Sequence, residues 1–353
     1  MLFNPFHKKI GLDLTDSAFR IATVDQGKNK STLEGYAEIK IDDKIMQSGI
    51  VIDRTKASSL LQELINALPG RFRSQYAFVS IPEMKTFLKI IELPDGYKKN
   101  TKDFVKQIAA QHLPFPIDDM YLDWQIIPAI KNKESTRVML GAVEKVVADN
   151  LIELLKIAKI IPLGFEVESV ATARGIIPDG LPDDKQPILI IDIGSKHSTM
   201  ILYDHGAIQF TSALDLHDHS LIEAIAEKTK LSYKEAAKAK RICGLDPKKG
   251  KGEVRKILLP ELNDLITKIK QIEIYYQNDF SYGRDIKQVL LTGSGASLVG
   301  LDTYIKTRLK QDVAIGNSLI NIEENKISKE FDAERKLSFA TTVGLALKRY
   351  QGD

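Results

Sequence analysis

The sequence predicts an α/β fold of two related domains, with a small α+β subdomain inserted into the first. Two segments, at 10–27 and 190–206, repeat one pattern in matched register, which indicates a duplicated domain. The chain has 353 residues, and a single hydrophobic core usually divides beyond about 250–300 residues. Between the two copies, residues 84–162 read as strand, helix, strand, strand and helix. Such a run can form a compact unit of its own.

The repeated segment consists of an apolar strand with one Asp, a short polar turn, a second apolar strand and an Asp-x-Gly turn. Asp13 and Asp192 occupy the same place in the two copies. An Asp within an apolar strand is costly to bury unless something pairs with it. Two such residues, each followed by a turn with free backbone N–H groups, suit a metal-bound polyphosphate. We therefore predict a nucleotide-binding protein in which Asp13 and Asp192 hold Mg²⁺ through water.

The two turns supply the predicted phosphate contacts. The candidates are Thr15, Asp16 and Ser17 in the first turn, and Gly194, Ser195 and Ser198 in the second. Glycine allows a close approach of phosphate to the backbone, whereas the β-branched Thr15 makes that approach harder. As an alternative, each Asp could merely cap its own turn. The matched register of the two copies favours the binding site.

A third predicted contact follows the short buried strand at 289–292. Gly293, Ser294 and Gly295 stand where this strand leads into a helix, which is a usual place for a nucleotide. A tight strand-to-helix turn would explain the same glycines.

Two acidic residues, Glu166 and Glu168, fall on a predicted strand at 164–170. A carboxylate there could orient an attacking water, and Glu166 is the predicted catalytic residue. A strand-end carboxylate that bonds neighbouring backbone is an equal alternative.

The other elements follow from apolar periodicity and from their stop signals. Helices are predicted at 57–68, 104–113, 147–158, 232–242, 253–280 and 337–349, and further strands at 76–81, 87–93, 121–130 and 137–143. Pro94 and the prolines of 114–116 end two of the inserted elements. The last helix could be a membrane anchor, but its small residues favour packing in the core.

The composition excludes several classes of protein. The 50 basic and 47 acidic residues nearly cancel, which gives little support for nucleic acid as a partner. The single Cys243 cannot form an internal disulfide, which favours a reducing compartment. The start lacks the apolar core of a signal peptide, and no apolar run approaches about 20 residues. We also expect His217 and His219 to be solvent-exposed rather than zinc ligands.

The order of these motifs resembles the actin-like ATPase superfamily, with its ribonuclease H-like domains, paired phosphate loops and late glycine-rich adenosine loop. Within that superfamily the chain resembles the PilM family of type IV pilus assembly proteins, relatives of FtsA, over nearly its full length. The most specific segments are 93–94, 108–117 and 122–125 in the inserted subdomain, and 164–174 and 289–301 outside it. The resemblance implies a first domain at 1–83, 163–186 and 336–353, and a second at 187–335 whose helical subdomain covers about 226–286.

The resemblance also implies a cytoplasmic protein that binds ATP and Mg²⁺. It would dock a short N-terminal cytoplasmic peptide of a PilN-like inner-membrane protein in a groove beside the inserted subdomain. Other pilus platform and motor proteins would be further partners, and the protein would be peripheral to the inner membrane through them, with no membrane span of its own.

Two departures from the family pattern bear on turnover. Thr15 replaces the usual glycine of the first phosphate loop, and Ala237 replaces a Glu expected near the ribose, whereas the nucleotide-site Lys240 is retained. These changes leave ATP binding in place and predict weak or absent hydrolysis.

Three alternatives remain at this point. A small-molecule kinase on the same fold would use Glu166, although the compact insertion leaves little sequence for a substrate pocket. An FtsA-like membrane-associated filament protein usually carries a linker and an amphipathic tail, which we do not expect after the last helix. The cytoplasmic part of a secretion-system protein fused to a membrane segment is the third.

Overall fold

A computed structural model describes residues 9–27, 30–70, 73–93, 101–113, 116–130, 136–181 and 186–349. The predicted stops at Pro94 and at 114–115 lie outside these residues. Within the described residues no helix is both long and apolar enough to cross a membrane.

The described residues form fifteen strands and ten α-helices. The strands are β1 (Ile10–Leu14), β2 (Ala18–Gln26), β3 (Ser31–Lys40), β4 (Met46–Gln47), β5 (Ile50–Val51), β6 (Tyr76–Ile81), β7 (Thr86–Leu93), β8 (Met120–Ile127), β9 (Thr136–Glu144), β10 (Ile161–Val167), β11 (Ile188–Ile193), β12 (Ser198–Asp204), β13 (Ala207–Leu214), β14 (Gln288–Thr292) and β15 (Asp312–Ile315). The helices are α1 (Arg54–Ala67), α2 (Thr101–His112), α3 (Lys145–Ile157), α4 (Glu168–Ile176), α5 (Asp218–Thr229), α6 (Tyr233–Cys243), α7 (Glu253–Asp279), α8 (Leu301–Leu309), α9 (Ala333–Ser338) and α10 (Ala340–Leu347).

Two five-stranded sheets share one topology. Their strand orders are β10-β6-β1-β2-β3 and β13-β12-β11-β14-β15. In each sheet the Asp-bearing strand is central, pairs antiparallel with the next strand of the chain and pairs parallel with its other neighbour. The structure thus contains the duplication that the repeated motif predicts.

The inserted subdomain is a three-stranded sheet of order β7-β9-β8 with α2 packed on it. The last helix predicted for this subdomain, α3, packs mainly on the first domain. Leu151, Leu154 and Leu155 of α3 are buried in the same core as Leu61 and Leu64 of α1. The apolar face of α3 thus completes the core of the first domain, while Val147 and Ala148 also pack against Val143 of the inserted sheet.

Two helices, α4 and α10, lie between the five-stranded sheets. Ala173 and Ile176 of α4 share a core with Ile190 of the second sheet. On the other side, a Cβ atom on Gly11 of β1 would overlap the carbonyl oxygen of Thr342 in α10. The backbones approach this closely only because glycine has no side chain.

Several predicted bounds are wrong. The strand predicted at 164–170 ends at Val167, and α4 begins at Glu168. The helix predicted at 337–349 is two helices, which break at the buried Phe339.

The last part of the predicted second domain packs on the first sheet. Leu319, Ile322 and Phe331 pack against Leu33 in the first domain. This segment therefore crosses back to the first sheet before α9 begins.

We expect the contact between α4 and α10 to tolerate no added methyl group. A Cβ atom on Gly344 would overlap the carbonyl oxygen of Ala171, which belongs to rigid helical backbone. Gly344→Ala should therefore lower the free energy of unfolding by about 1–3 kcal/mol or more. Gly70→Ala is the matched control, since a Cβ atom there meets nothing. Urea unfolding measures the free energy of unfolding of both variants. Equal values for the two variants would contradict the close backbone contact between α4 and α10.

Candidate nucleotide-binding cleft

A cleft of about 600 Å³ opens between the two domains. Most of the predicted contacts line it: Asp13, Thr15, Asp16, Ser17, Asp192, Gly194, Ser195, Ser198, Gly293 and Ser294. Both copies of the repeated motif therefore meet at one place. The residues between β6 and β7, the start of α4 and the end of β13 complete the walls.

Four carboxyl groups face one another inside this cleft, from Asp13, Glu83, Glu168 and Asp192. Burial, with the nearby Asp13 charge, raises the pKa of Asp192 to about 7. Burial also raises the pKa of Asp13 and of Glu83, and it raises that of Glu168 well above the ordinary value. A cation placed among these groups would favour their ionised forms.

Asp13 has two polar neighbours of its own. The hydroxyl of Ser80 donates to its Oδ1 at 2.9 Å, and a guanidinium nitrogen of Arg20 lies 3.8 Å from its Oδ2. The two residues are placed by register, because Arg20 lies opposite Asp13 in the β1–β2 pair. Arg20 also bonds Glu38, so its charge is shared between two carboxylates.

The carboxyl groups of Glu83 and Glu168 each accept a backbone N–H at the start of the other's segment. The N–H of Glu83 donates to Oε2 of Glu168 at 3.0 Å, and the N–H of Ser169 donates to Oε2 of Glu83 at 3.2 Å. Each carboxyl thereby caps the short helix that begins at or beside the other. Glu83 was not predicted, although it follows the carboxyl end of β6, where sites in α/β sheets collect.

The structure does not bring Glu166, the predicted catalytic residue, to the cleft. Its carboxylate is buried in β10 and pairs with Arg174, and Nζ of Lys348 lies 2.8 Å from its Oε1. Burial opposes ionisation, but the bonds and charges of these two cations outweigh it and hold the pKa of Glu166 below its usual value. Of the two candidate glutamates, Glu168 lines the cleft and Glu166 does not.

The first phosphate loop has committed its polar side chains to the protein. The hydroxyl of Thr15 donates to the carbonyl of Ala18 at 2.8 Å. The carboxylate of Asp16 accepts the N–H groups of Ser48 and Gly49 at 2.7 and 3.0 Å, and it lies 2.9 Å from His197 Nε2. This loop therefore lines the cleft without offering these groups to a ligand.

The second phosphate loop keeps polar groups available. The carbonyls of Gly194 and Ser195 accept the first N–H groups of α5 at 2.9 Å, which fixes the loop backbone. The hydroxyls of Ser198 and Ser294 are buried and have no hydrogen-bond partner among the described residues. An unpaired buried hydroxyl beside a cleft is a place for a ligand oxygen.

The late glycines have two different roles. Gly293 has a φ of +82°, and a Cβ atom there would overlap the carboxylate of Asp192. It therefore lets the strand end pass beside Asp192. Gly295, the other predicted contact, packs on the side chain of Ile193 and does not line the cleft.

Lys240, also a predicted contact, lies away from the cleft. Its side chain is buried and pairs with Asp218, the first residue of α5, and it does not line the cleft. His217 and His219 lie at the same helix start, where Nδ1 of His217 caps α5 by accepting the N–H of Ser220 at 3.0 Å. In the part of the chain that the structure describes, no three His, Cys, Asp or Glu side chains are arranged to ligate a metal ion directly.

Comparison with solved structures assigns the fold. A PilM–PilN type IV pilus biogenesis complex superposes with a TM-score of 0.82 at 21% identity, covering 98% of this chain and 99% of that one. The ethanolamine utilization protein EutJ from Carboxydothermus hydrogenoformans gives 0.56 at 15%, covering 96% and 89%. MreB5 of Spiroplasma citri bound to ADP gives 0.52 at 14%, covering 89% and 92%.

The architecture is thus the actin-like one that the motif order predicts. The family model of type IV pilus assembly protein PilM matches residues 11–350, which is nearly the whole chain. The chain therefore belongs to the PilM family of type IV pilus assembly proteins.

Proposed function

We propose that this chain is an assembly adaptor that binds ATP with Mg²⁺ in the interdomain cleft and docks the N-terminal cytoplasmic peptide of a PilN-like inner-membrane protein. The nucleotide site rests on one observation: the carboxyl groups of Asp13 and Asp192 lie close together in the cleft, beside the unpartnered hydroxyl of Ser198. Among proteins of this fold, MreB5 of Spiroplasma citri is seen with ADP and with AMPPNP.

The residues in the cleft fit a magnesium nucleotide. Asp13, Asp192 and Glu168 would hold Mg²⁺ through its waters, since Mg²⁺ gives up water reluctantly. The cation supplies the positive charge that both the phosphates and these carboxylates need. Ser195, Ser198 and the backbone of the second loop would then bind phosphate oxygens.

We propose that turnover is weak or absent. Glu168 is the carboxyl best placed to orient a water, but its Oε2 already accepts the backbone N–H of Glu83, and in the proposed complex its charge would face the cation. The kinase alternative loses its catalytic residue, because Glu166 is ion-paired outside the cleft.

We place peptide docking in a groove of about 610 Å³ between the first domain and the inserted subdomain. Ile50 and Arg54 line one wall, and Lys145, Val146 and Asp149 of α3 line the other. Asp119 and Glu144 close the groove on the side of the inserted subdomain. Val146 is 66% exposed despite its apolar side chain. A short peptide with apolar residues and flanking charges matches these walls. Docking there would hold the protein at the cytoplasmic face of the inner membrane, where other pilus platform and motor proteins assemble.

We expect Asp192→Asn to weaken Mg·ATP binding by at least about tenfold, because it removes one carboxylate charge from the cation site. Asp312→Asn is the control, since its carboxylate is exposed on the far strand of the same sheet. Isothermal titration calorimetry in magnesium, repeated in EDTA, measures the affinities. The nucleotide site is disproved if Asp192→Asn binds as tightly as wild type.

Stability of the nucleotide-free protein should fall as pH rises from about 4 to 7. Burial raises the pKa of Asp192 from an ordinary 3.8 to about 7, so the folded state holds this proton where the unfolded state has released it. One such proton changes the free energy of unfolding by at most about 1.4 kcal/mol per pH unit.

The variant Asp192→Asn should lose this part of the pH dependence. As pH rises from about 4 to 7 it should gain stability relative to wild type, and the difference should level off at higher pH, as measured by urea unfolding. A stability difference that stays constant over this range would show that Asp192 does not titrate there.

We expect Val146→Asp to abolish most peptide binding while the protein stays folded, because the residue is exposed. The probe is a fluorescent synthetic peptide with the N-terminal residues of the accompanying PilN-like protein, followed by anisotropy. Ile274→Asp is the matched control, since Ile274 is 57% exposed on α7. Unchanged binding by Val146→Asp would place the peptide elsewhere.

A further inference from the structure

Arg137 of β9 is a charged residue with 0% exposure, and it ties the inserted sheet to the second domain. Its Nη2 donates to Oε1 of Gln209 at 2.6 Å and lies 3.2 Å from the hydroxyl of Tyr282. The guanidinium carbon also stands 5.0 Å from the centre of the Tyr282 ring. Burying a guanidinium is costly, and its Nε has no partner among the described residues, so the bonds of its two Nη atoms to Pro128, Gln209 and Tyr282 have to offset that cost and tie the two units together.

Gln209 cannot move independently of β13. Its amide nitrogen donates to the carbonyl of Ala207 at 2.9 Å and to that of Asp204. Asp204 is in turn buried against the guanidinium of Arg284 and the hydroxyl of Tyr276. The Gln209 side chain is thus bonded to β13 through its nitrogen and to Arg137 through its oxygen, so a displacement of β13 also displaces Arg137.

The same strand reaches the cleft two residues later. Thr211 lines the cleft, and its hydroxyl bonds the carboxyl of Glu83. The ladder between β12 and β13 has an irregularity at Gln209, where the pairing skips this residue, so Gln209 and Thr211 are joined through the backbone of β13 rather than through a shared face. Glu83 also lies just before β7, the first strand of the inserted sheet.

We propose that the Arg137–Gln209 contact couples nucleotide binding in the cleft to the position of the inserted subdomain. This inference rests on the proposed function. The chain joins the inserted sheet to the first domain at 82–86 and at 144–145, whereas Arg137 fastens it to the second. When the cleft closes, the sheet moves with the second domain, and the groove between it and the first domain changes width.

Hydrogen exchange tests this coupling in the full chain, with Mg·AMPPNP as the probe. Bound nucleotide should slow exchange in the second phosphate loop at 194–198. In the wild type it should also alter exchange several-fold in β9 and at the start of α3. In Arg137→Met the loop should still respond, but the response of β9 and α3 should be lost.

Two further variants make the result specific. Arg308→Met is the matched control, because Arg308 stacks over Tyr304 at 5.4 Å and bonds Asn263, both within the second domain. It should behave as wild type. Tyr282→Phe keeps the ring but removes one acceptor of Arg137, so it should give a reduced response even if Arg137→Met folds poorly.

The coupling is overturned if the wild-type loop responds while β9 and α3 do not, or if their response persists in Arg137→Met. A loop that does not respond at all shows that the nucleotide does not bind. In that case the proposed function fails first, and the coupling falls with it.

Discussion

The close contact between α4 and α10 sets the distance between the two sheets, and the site depends on that distance. Gly344 of α10 lies directly against the backbone of Ala171 in α4, and Gly175 lies against that of Ala340. Through Gly11, α10 also lies directly on β1. With bulkier residues the two helices would separate, and the strands that carry the paired aspartates would separate with them.

The electrostatics of the cleft follow from this spacing. Asp13 and Asp192 are close enough for the charge of one to raise the pKa of the other, and Glu83 and Glu168 add to the same cluster. Arg20 offsets only part of this charge, because it is shared with Glu38. This excess of negative charge favours the binding of a cation in the cleft, and without a cation it disfavours an ionised carboxylate that could act as a catalytic base. That balance suits a nucleotide-sensing adaptor better than an efficient ATPase.

Local patterns predicted most of the elements and the paired loops, because a strand, a turn and a repeat are written in neighbouring residues. The predicted end of β10 was too late, since alternation does not show where a strand ends. For the same reason the sequence did not show that Glu168, rather than Glu166, lines the cleft. Glu83 and Arg137 could not be found in the same way. Their partners, Thr211 and Gln209, lie in the second domain, and only the folded chain brings them together.

The two phosphate loops have the same ancestry in the sequence but unequal chemistry in the structure. In the first, Thr15 and Asp16 are committed to bonds within the protein, and Asp16 also reaches His197 of the second loop. In the second, Ser198 retains an unpaired hydroxyl. In the proposed complex the second domain would thus hold the phosphates, while the first would contribute mainly carboxylate charge. A cation can bind both the carboxylates of the first domain and the phosphates that the second domain holds. The magnesium ion, rather than the phosphate chain, would therefore hold the cleft closed.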